Sequence, residues 1–315
     1  MRYVKYEYKK AAVNGGAVVA LGLFDGVHLA HRDLISRAVS LARERGLCSA
    51  VFTFESESER LKGGKGRLYS TKQRLDLIKT LGVDVAVVAD FDSISDLSPE
   101  DFVKNTLVCD CGARLAVAGF NFRFGRGASA GADELVELMK KNGADAELCR
   151  EITFRESTLS TSLIKSQLAD RRPDLAAEAL GVPFYLEGEV LHGLGLGREL
   201  GAPTVNLPLP KTAFSPPSGV YRSAVLLRGR LYPAVTNIGS CPTVGERAEH
   251  AETHIIGFEE PIYGEKIKVF LLDYLREERR FESQQELIMQ INVDKNAALP
   301  QKGDTIWTLS GQNLP

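Results

Sequence analysis

Two histidines three positions apart, His28 and His31, close the stretch GLFDGVHLAH at residues 22–31. The preceding run, 17–21, is wholly apolar and reads as a buried strand. The chain then turns on Gly22, Asp25 and Gly26 and opens a helix. The first turn of a helix has unpaired N–H groups and a partial positive charge, which suit an anion. Imidazoles at that junction add directed donors, so the expected ligand is phosphate. Other readings of the pair stay open. One ring could belong to the core and the other to the surface. The two could also ligate a metal, for which no third ligand is evident nearby.

Two more segments offer phosphate donors. GFNFRFGRG, 119–127, follows an apolar run and carries Asn121, Arg123 and Arg126. LSTSLIK, 159–165, brings Ser160, Thr161, Ser162 and Lys165 to the opening of a helix. Each is weak alone, because an Arg-Gly loop is usually a solvated turn and Ser/Thr runs commonly cap helices. Together they suit nucleotidyl transfer. There the nucleophile is already a phosphate and pyrophosphate leaves, so the protein only aligns the partners and stabilises growing charge. Gly22, Phe24, Asp25 and Gly26 join His28, His31, Asn121, Arg123, Ser160, Thr161 and Lys165 as candidate ATP or phosphate contacts.

A second constellation lies in GLGLGRELGAPTVNLPL, 193–209. No Gly-Lys-Ser/Thr follows its glycines, and no strand–helix context surrounds them, so neither common nucleotide fingerprint is present. Thr204 and Asn206 are two apart and face the same way on an extended segment. Two oxygen-bearing side chains so placed can hold Mg²⁺ against the phosphates of ATP. A polar strand face gives the same spacing.

The elements that carry these residues fall into two patterns. Strands are expected at 17–21, 49–54, 83–89, 115–118 and 146–151, with amphipathic helices between them. One helix is expected to bury Leu34, Ile35, Ala38, Val39 and Leu41 and close at Gly46. Another is expected to use Leu75, Ile78 and Leu81. A third opens with Ser98 as N-cap and Pro99 behind it. This alternation predicts a doubly wound parallel sheet, whose ligands sit at the carboxyl ends of strands. From 185 to 274 the chain has short alternating runs rich in Gly and Pro, which predict an antiparallel barrel. A last helix follows, with Ser283 and Glu286 as a capping box and Leu287, Ile288 and Ile291 on its buried face. The expected fold is therefore α/β plus β. Domains are expected at 1–180 and 181–300, with a loose polar tail at 301–315.

Composition sets the class. The 315 residues are 44% hydrophobic and 25% charged, with a net charge of −2. That length suits about two domains. The charge excludes a nucleic-acid binder that works by bulk positive field. Five cysteines without disulfide-like spacing suit a reducing compartment. No apolar run approaches the ~18 residues of a membrane span, and no apolar leader follows Met1. A cytoplasmic protein without nucleic-acid or membrane partners is expected, and a homo-oligomer stays open.

At this point the chain resembles a known family. GLFDGVHLAH is similar to the HxGH signature of nucleotidylyltransferases. With GFNFRFGRG and LSTSLIK it resembles the adenylyltransferase module of bacterial bifunctional riboflavin kinase/FAD synthetases. GLGRELGAPTVNL, TNIGSCPTVG and the stretch from ETHIIGF to ELIMQI resemble the riboflavin kinase module. The resemblance implies a nucleotidylyltransferase domain followed by a kinase barrel, with ATP, riboflavin and FMN as substrates and Mg²⁺ as cofactor. It implies that Gly195, Gly197, Arg198, Gly201, Thr204 and Asn206 bind ATP and that Thr204 and Asn206 bind the metal. It implies that Glu252 is the general base, and that His28 and His31 serve catalysis in the first domain. The chain departs from the pattern at Ala30, at FTFESESERL where a proline–histidine segment is usual, at Ala132, at Lys165, at Val205 and at Cys241. Two alternatives follow from this. One is a kinase with a degenerate adenylyltransferase domain, and the other is a flavin-binding regulator without turnover.

Overall fold

The computed structural model describes residues 1–55, 66–191, 202–210, 213–243, 246–301 and 303–308, without the side chains of 240–249, 305 and 308. Contacts divide the chain into two compact units, Met1–Thr161 and Ser162–Leu314.

The first unit is built on six parallel strands: β1 Arg2–Lys5, β2 Ala17–Leu21, β3 Cys48–Phe54, β4 Val85–Ala89, β5 Ala113–Gly119 and β6 Asp145–Cys149. Every residue of β2 and β4 is buried, as expected of strands covered on both faces. The order is β1-β4-β3-β2-β5-β6. Successive strands run outward from β2 on one side, and β5 begins the other side. The order reverses beside β2, and such a reversal opens a crevice at the carboxyl ends of the two strands. GLFDGVHLAH leaves β2 there, and GFNFRFGRG leaves β5. Edge strand β1 was not expected. Its residues, RYVK, are mostly exposed, and such a run carries no alternating apolar signal.

Helix α1, Leu29–Arg45, buries the six apolar residues Leu34, Ile35, Ala38, Val39, Leu41 and Ala42, and ends at Gly46 with φ 65°. That left-handed cap is where glycine has no Cβ penalty. Helix α2, Thr71–Lys79, starts with a complete capping box from Ser70 and Gln73. It buries Arg74, Leu77 and Ile78, whereas the expected Leu75 and Leu81 are only half-buried. A short helix α3 spans Phe91–Ile94. Ser98 caps α4, Pro99–Asp101, which runs on as a wide π-helical stretch, Phe102–Asp110, instead of a regular helix. Helix α5 is Ala132–Lys141, and the strands β7 Thr153–Phe154 and β8 Ser157–Thr158 form a small hairpin.

The second unit holds most of α6, Thr161–Ala169, and all of α7, Pro173–Leu180. Its sheet is antiparallel: β9 Tyr185–Glu189, β10 Thr204–Pro208, β11 Gly219–Leu227, β12 Arg230–Thr243, β13 Glu246–Ile255 and β14 Lys266–Arg276. The order is β10-β13-β12-β11-β14-β9. An isolated bridge from Leu191 to Asn206 joins its two ends, so the barrel is nearly closed. Ser223, Thr236 and Thr253 are fully buried and joined at 2.7 and 3.0 Å, so each hydroxyl is satisfied inside. Alternate residues of β12 and β13 face the other way. The last helix, α8, is Gln284–Ala297.

Two expectations are corrected here. Ser283 caps α8, but the Glu286 carboxylate accepts from the Glu282 amide, and Leu287, Ile288 and Ile291 are half-buried because Leu287 and Ile291 line a cavity. The described part of the tail is docked. Asp304 accepts two hydrogen bonds from buried Arg222 at 2.6 and 2.8 Å, and Ile306 is buried.

Candidate functional site

The histidine turn is strained and tightly packed. Phe24, Gly26 and Val27 have φ of 55°, 86° and 44°. Left-handed backbone at a non-glycine costs on the order of 1–3 kcal/mol and persists only where packing enforces it. Phe24 and Val27 are both buried. Gly22 makes room for this turn, because a Cβ there would lie 2.8 Å from the Phe24 ring. Asp25 is buried, and its carboxylate accepts from the amides of Leu68 and Tyr69. Its carbonyl accepts from Thr161 Oγ1 at 2.8 Å, which ties the opening of α6 to the turn.

His28 is the N-cap of α1 and accepts the His31 amide at Nδ1, 3.4 Å away. The two rings stack at 3.6 Å, and the Phe24 ring stands edge-on to His31. Burial pushes the His28 imidazole down to about 4. Burial, then the neighbouring His28, then Arg74, hold His31 well below its usual range. Both rings are neutral at pH 7. With Nδ1 of His28 accepting, its proton sits on Nε2. Each ring is a neutral donor above the first turn of α1.

Sequence reasoning missed Arg74. It is fully buried and donates to Thr53 Oγ1 at 2.9 Å and to the carbonyls of Leu23 and Phe54. It thereby ties the ends of β2 and β3 together beneath the histidine turn. The available signal was an arginine sharing a helix face with Leu77 and Ile78, since buried arginine is rare unless paired.

The other candidates of this unit are placed less tightly. Asn121 is exposed just beyond β5. Arg123 is exposed and holds its own loop through the Ala128 carbonyl at 3.0 and 2.8 Å. Arg126 instead ties this loop to the Asp96 carbonyl, 30 residues earlier, at 3.1 and 2.8 Å. Ser160 is half-buried just before α6, and Lys165, which falls in the second unit, is half-buried within α6.

In the barrel, strand register builds a polar row. Asn206 faces Glu252 across β10 and β13, and Glu252 faces Asn237 across β12. Thr204, two residues along, faces His254. All of these residues except Asn206 line a cavity of about 300 Å³. Thr204, Asn237, Glu252 and His254 line one part of it, and Phe281, Leu287 and Ile291 give it an apolar part. The size is at the lower end of small-molecule sites, and the mixture of apolar wall and few polar groups is typical of them. His254 Nδ1 bonds the Pro203 carbonyl at 2.9 Å, which holds the start of β10. Asp294 of α8 accepts from Arg276 of β14 at 2.7 Å, which pins the helix beside the cavity. His250 Nε2 lies 3.0 Å from Glu252 Oε1. The available signal for His250 was its two-residue spacing from Glu252, which puts both on one strand face.

Gly195, Gly197, Arg198 and Gly201, and the side chain of Cys241, lie outside the described residues. So does most of the FTFESESERL segment. Among the described residues no group of three or more His, Cys, Asp or Glu could hold a metal. Among them, too, no helix is long and apolar enough to cross a membrane.

Comparison with known proteins separates the same two halves. Residues 10–163 match the family described as FAD synthetase, and residues 180–300 match riboflavin kinase. A bifunctional riboflavin kinase/FMN adenylyltransferase of Bacillus subtilis is 32% identical over 90% of this chain and 92% of its own. The protein of that name from Escherichia coli K12 is 34% identical over 90% and 92%. That from Haemophilus influenzae is 30% identical over 95% and 98%. A crystal structure from Streptococcus pneumoniae, named a macrolide-efflux protein, is 26% identical. It matches at a TM-score of 0.85, over 96% of this chain and 100% of that one. The chain belongs to the family of bifunctional riboflavin kinase/FMN adenylyltransferases.

Proposed function

We propose that the two units carry the two reactions of this family at the residues described above. The barrel, 181–300, transfers the γ-phosphoryl group of ATP to riboflavin and gives FMN and ADP. The α/β domain, 1–180, joins FMN to the adenylyl group of a second ATP and releases pyrophosphate, giving FAD. The products of the first reaction and substrates of the second are then held by one polypeptide.

In the barrel, Glu252 is the general base. It takes the proton from the ribityl hydroxyl as that oxygen attacks phosphorus. The observation that carries this reading is the register that pairs Glu252 with Asn206 on one side and Asn237 on the other, with Glu252 and Asn237 lining the cavity. The oxygens of Thr204 and Asn206 fit Mg²⁺, which favours a few hard protein ligands and completes its shell with phosphates and water. Bound there, the ion would neutralise phosphate charge. The apolar residues Phe281, Leu287 and Ile291 suit the flat isoalloxazine ring.

In the α/β domain no side chain acts as nucleophile. His28 and His31 donate N–H groups to ATP phosphates at the N-terminus of α1, and Asn121, Arg123, Ser160, Thr161 and Lys165 add donors. Gly22, Phe24, Asp25 and Gly26 hold the turn that presents the histidines. In the barrel, Gly195, Gly197, Arg198 and Gly201 approach ATP. We infer a cytoplasmic location, which the free thiols of Cys48, Cys109, Cys111 and Cys149 support.

Paired variants test the assignment. Glu252→Gln should lower FMN formation by about 10²–10⁴-fold and leave the conversion of FMN to FAD intact. His28→Ala with His31→Ala should do the reverse. Unchanged FMN formation by Glu252→Gln would remove Glu252 as the base.

A further inference from the structure

We propose that His250 is the positioning residue of the kinase site, holding the Glu252 carboxylate by one oxygen so that the other faces the attacking hydroxyl. This rests on the reading of Glu252 as the base. His250 and Glu252 are two apart on β13 and so share a face. Nε2 is 3.0 Å from Oε1. The cross-strand neighbours of His250 are Gly239 and Pro208, which present no long side chain beside the ring.

The tautomer follows from what surrounds the ring. Nδ1 of His250 is buried and has no hydrogen-bond partner among the described residues. A proton there would be a buried donor with nothing to bond, which carries a desolvation penalty. The proton therefore sits on Nε2, and the ring donates to Glu252 Oε1. The bond then occupies one carboxylate oxygen and leaves Oε2 to accept the substrate proton.

Glutamate has three rotatable side-chain bonds, and the Glu252 side chain is 43% exposed. Without a tether it samples several rotamers at each encounter with substrate. Orientation of a base by a third group is the general device by which such a side chain is held ready. His250 supplies that group from the same strand, so the pair moves as one with β13.

The test uses the intact protein with riboflavin, ATP and Mg²⁺. His250→Ala should lower kcat for FMN formation about tenfold with KM for riboflavin and ATP within about twofold. His250→Gln keeps an N–H at the position of Nε2 and should recover most of that loss. Conversion of FMN to FAD by the same variants, carried by the other unit, should be unchanged, and unaltered KM values for riboflavin and ATP report an intact barrel. In the Glu252→Gln background, His250→Ala should cost nothing further, because the two act as a unit. An unchanged kcat in His250→Ala, or a His250→Gln variant as slow as His250→Ala with normal KM for riboflavin and ATP, would overturn the proposal. Full FMN formation by Glu252→Gln would instead remove the base reading on which it rests.

Discussion

The imidazoles of His28 and His31 lie one above the other, 3.6 Å between centroids and 17° from parallel. Two charged rings at that distance would repel strongly, and burial already disfavours charge on either. The pair is a stack of neutral donors. In the proposed function it would meet phosphate through directed N–H groups and the end of α1, adding no net charge of its own.

This arrangement has a pH signature. An unfolded histidine titrates near 6.5, whereas folded His28 titrates at about 4. Between those values the unfolded chain binds more protons, so stability falls as pH drops from 6.5 towards 4 and is flat above 6.5. At pH 5 the His28 contribution to that loss is about 2 kcal/mol. His28→Asn keeps a good N-cap and removes the titration. Urea unfolding at pH 7 and pH 5 should show a smaller loss in this variant than in the parent. An equal loss would mean that His28 is not held neutral by the fold.

Gly22 should be irreplaceable for steric reasons. Alanine there would press the Phe24 ring from 2.8 Å, and Phe24 is 1% exposed with no room to retreat. Overpacking of this kind costs about 1–3 kcal/mol. Because Phe24 stands against His31, Gly22→Ala should slow FAD formation while FMN formation stays normal. Normal FAD formation by Gly22→Ala would show that the turn accommodates the extra methyl.

The docked tail is held by charge. Asp304 is kept below the usual carboxylate range, chiefly by hydrogen bonds from Arg222. Its contribution is present above the unfolded value near 3.9 and is lost as pH falls through the lower folded value. Arg222 is buried and also pairs with Asp273, so Asp304→Asn leaves it one partner. The variant should lose about 1–3 kcal/mol and free the tail to early proteolysis. Unaltered stability and protease resistance would show that the contact contributes nothing.

Much of the fold was readable from periodicity. The four central strands of the parallel sheet follow apolar runs, helix α1 has a regular apolar face, and Gly46 marks its end with a left-handed residue. What escaped lacked that signal. Strand β1 is an exposed edge, and the π-helical stretch differs from a regular helix only in hydrogen bonding that side-chain type does not encode. Asp304 was read as part of a polar tail because its partner Arg222 is 82 residues away. The site divides in the same way. His28, His31, Thr204 and Asn206 stand out by local spacing. Glu252 required resemblance to a family, His250 gained meaning only beside it although the two are two residues apart on one strand, and Arg74 required the structure, since its partners are set by tertiary placement.

The central claim is that one chain runs both reactions. The most direct measurement is chromatography of the products formed from riboflavin, ATP and Mg²⁺ by the purified protein over time. FMN should appear first and FAD after it, with ADP and then pyrophosphate released in step. Riboflavin left unchanged, or FMN accumulating without FAD, would contradict the account.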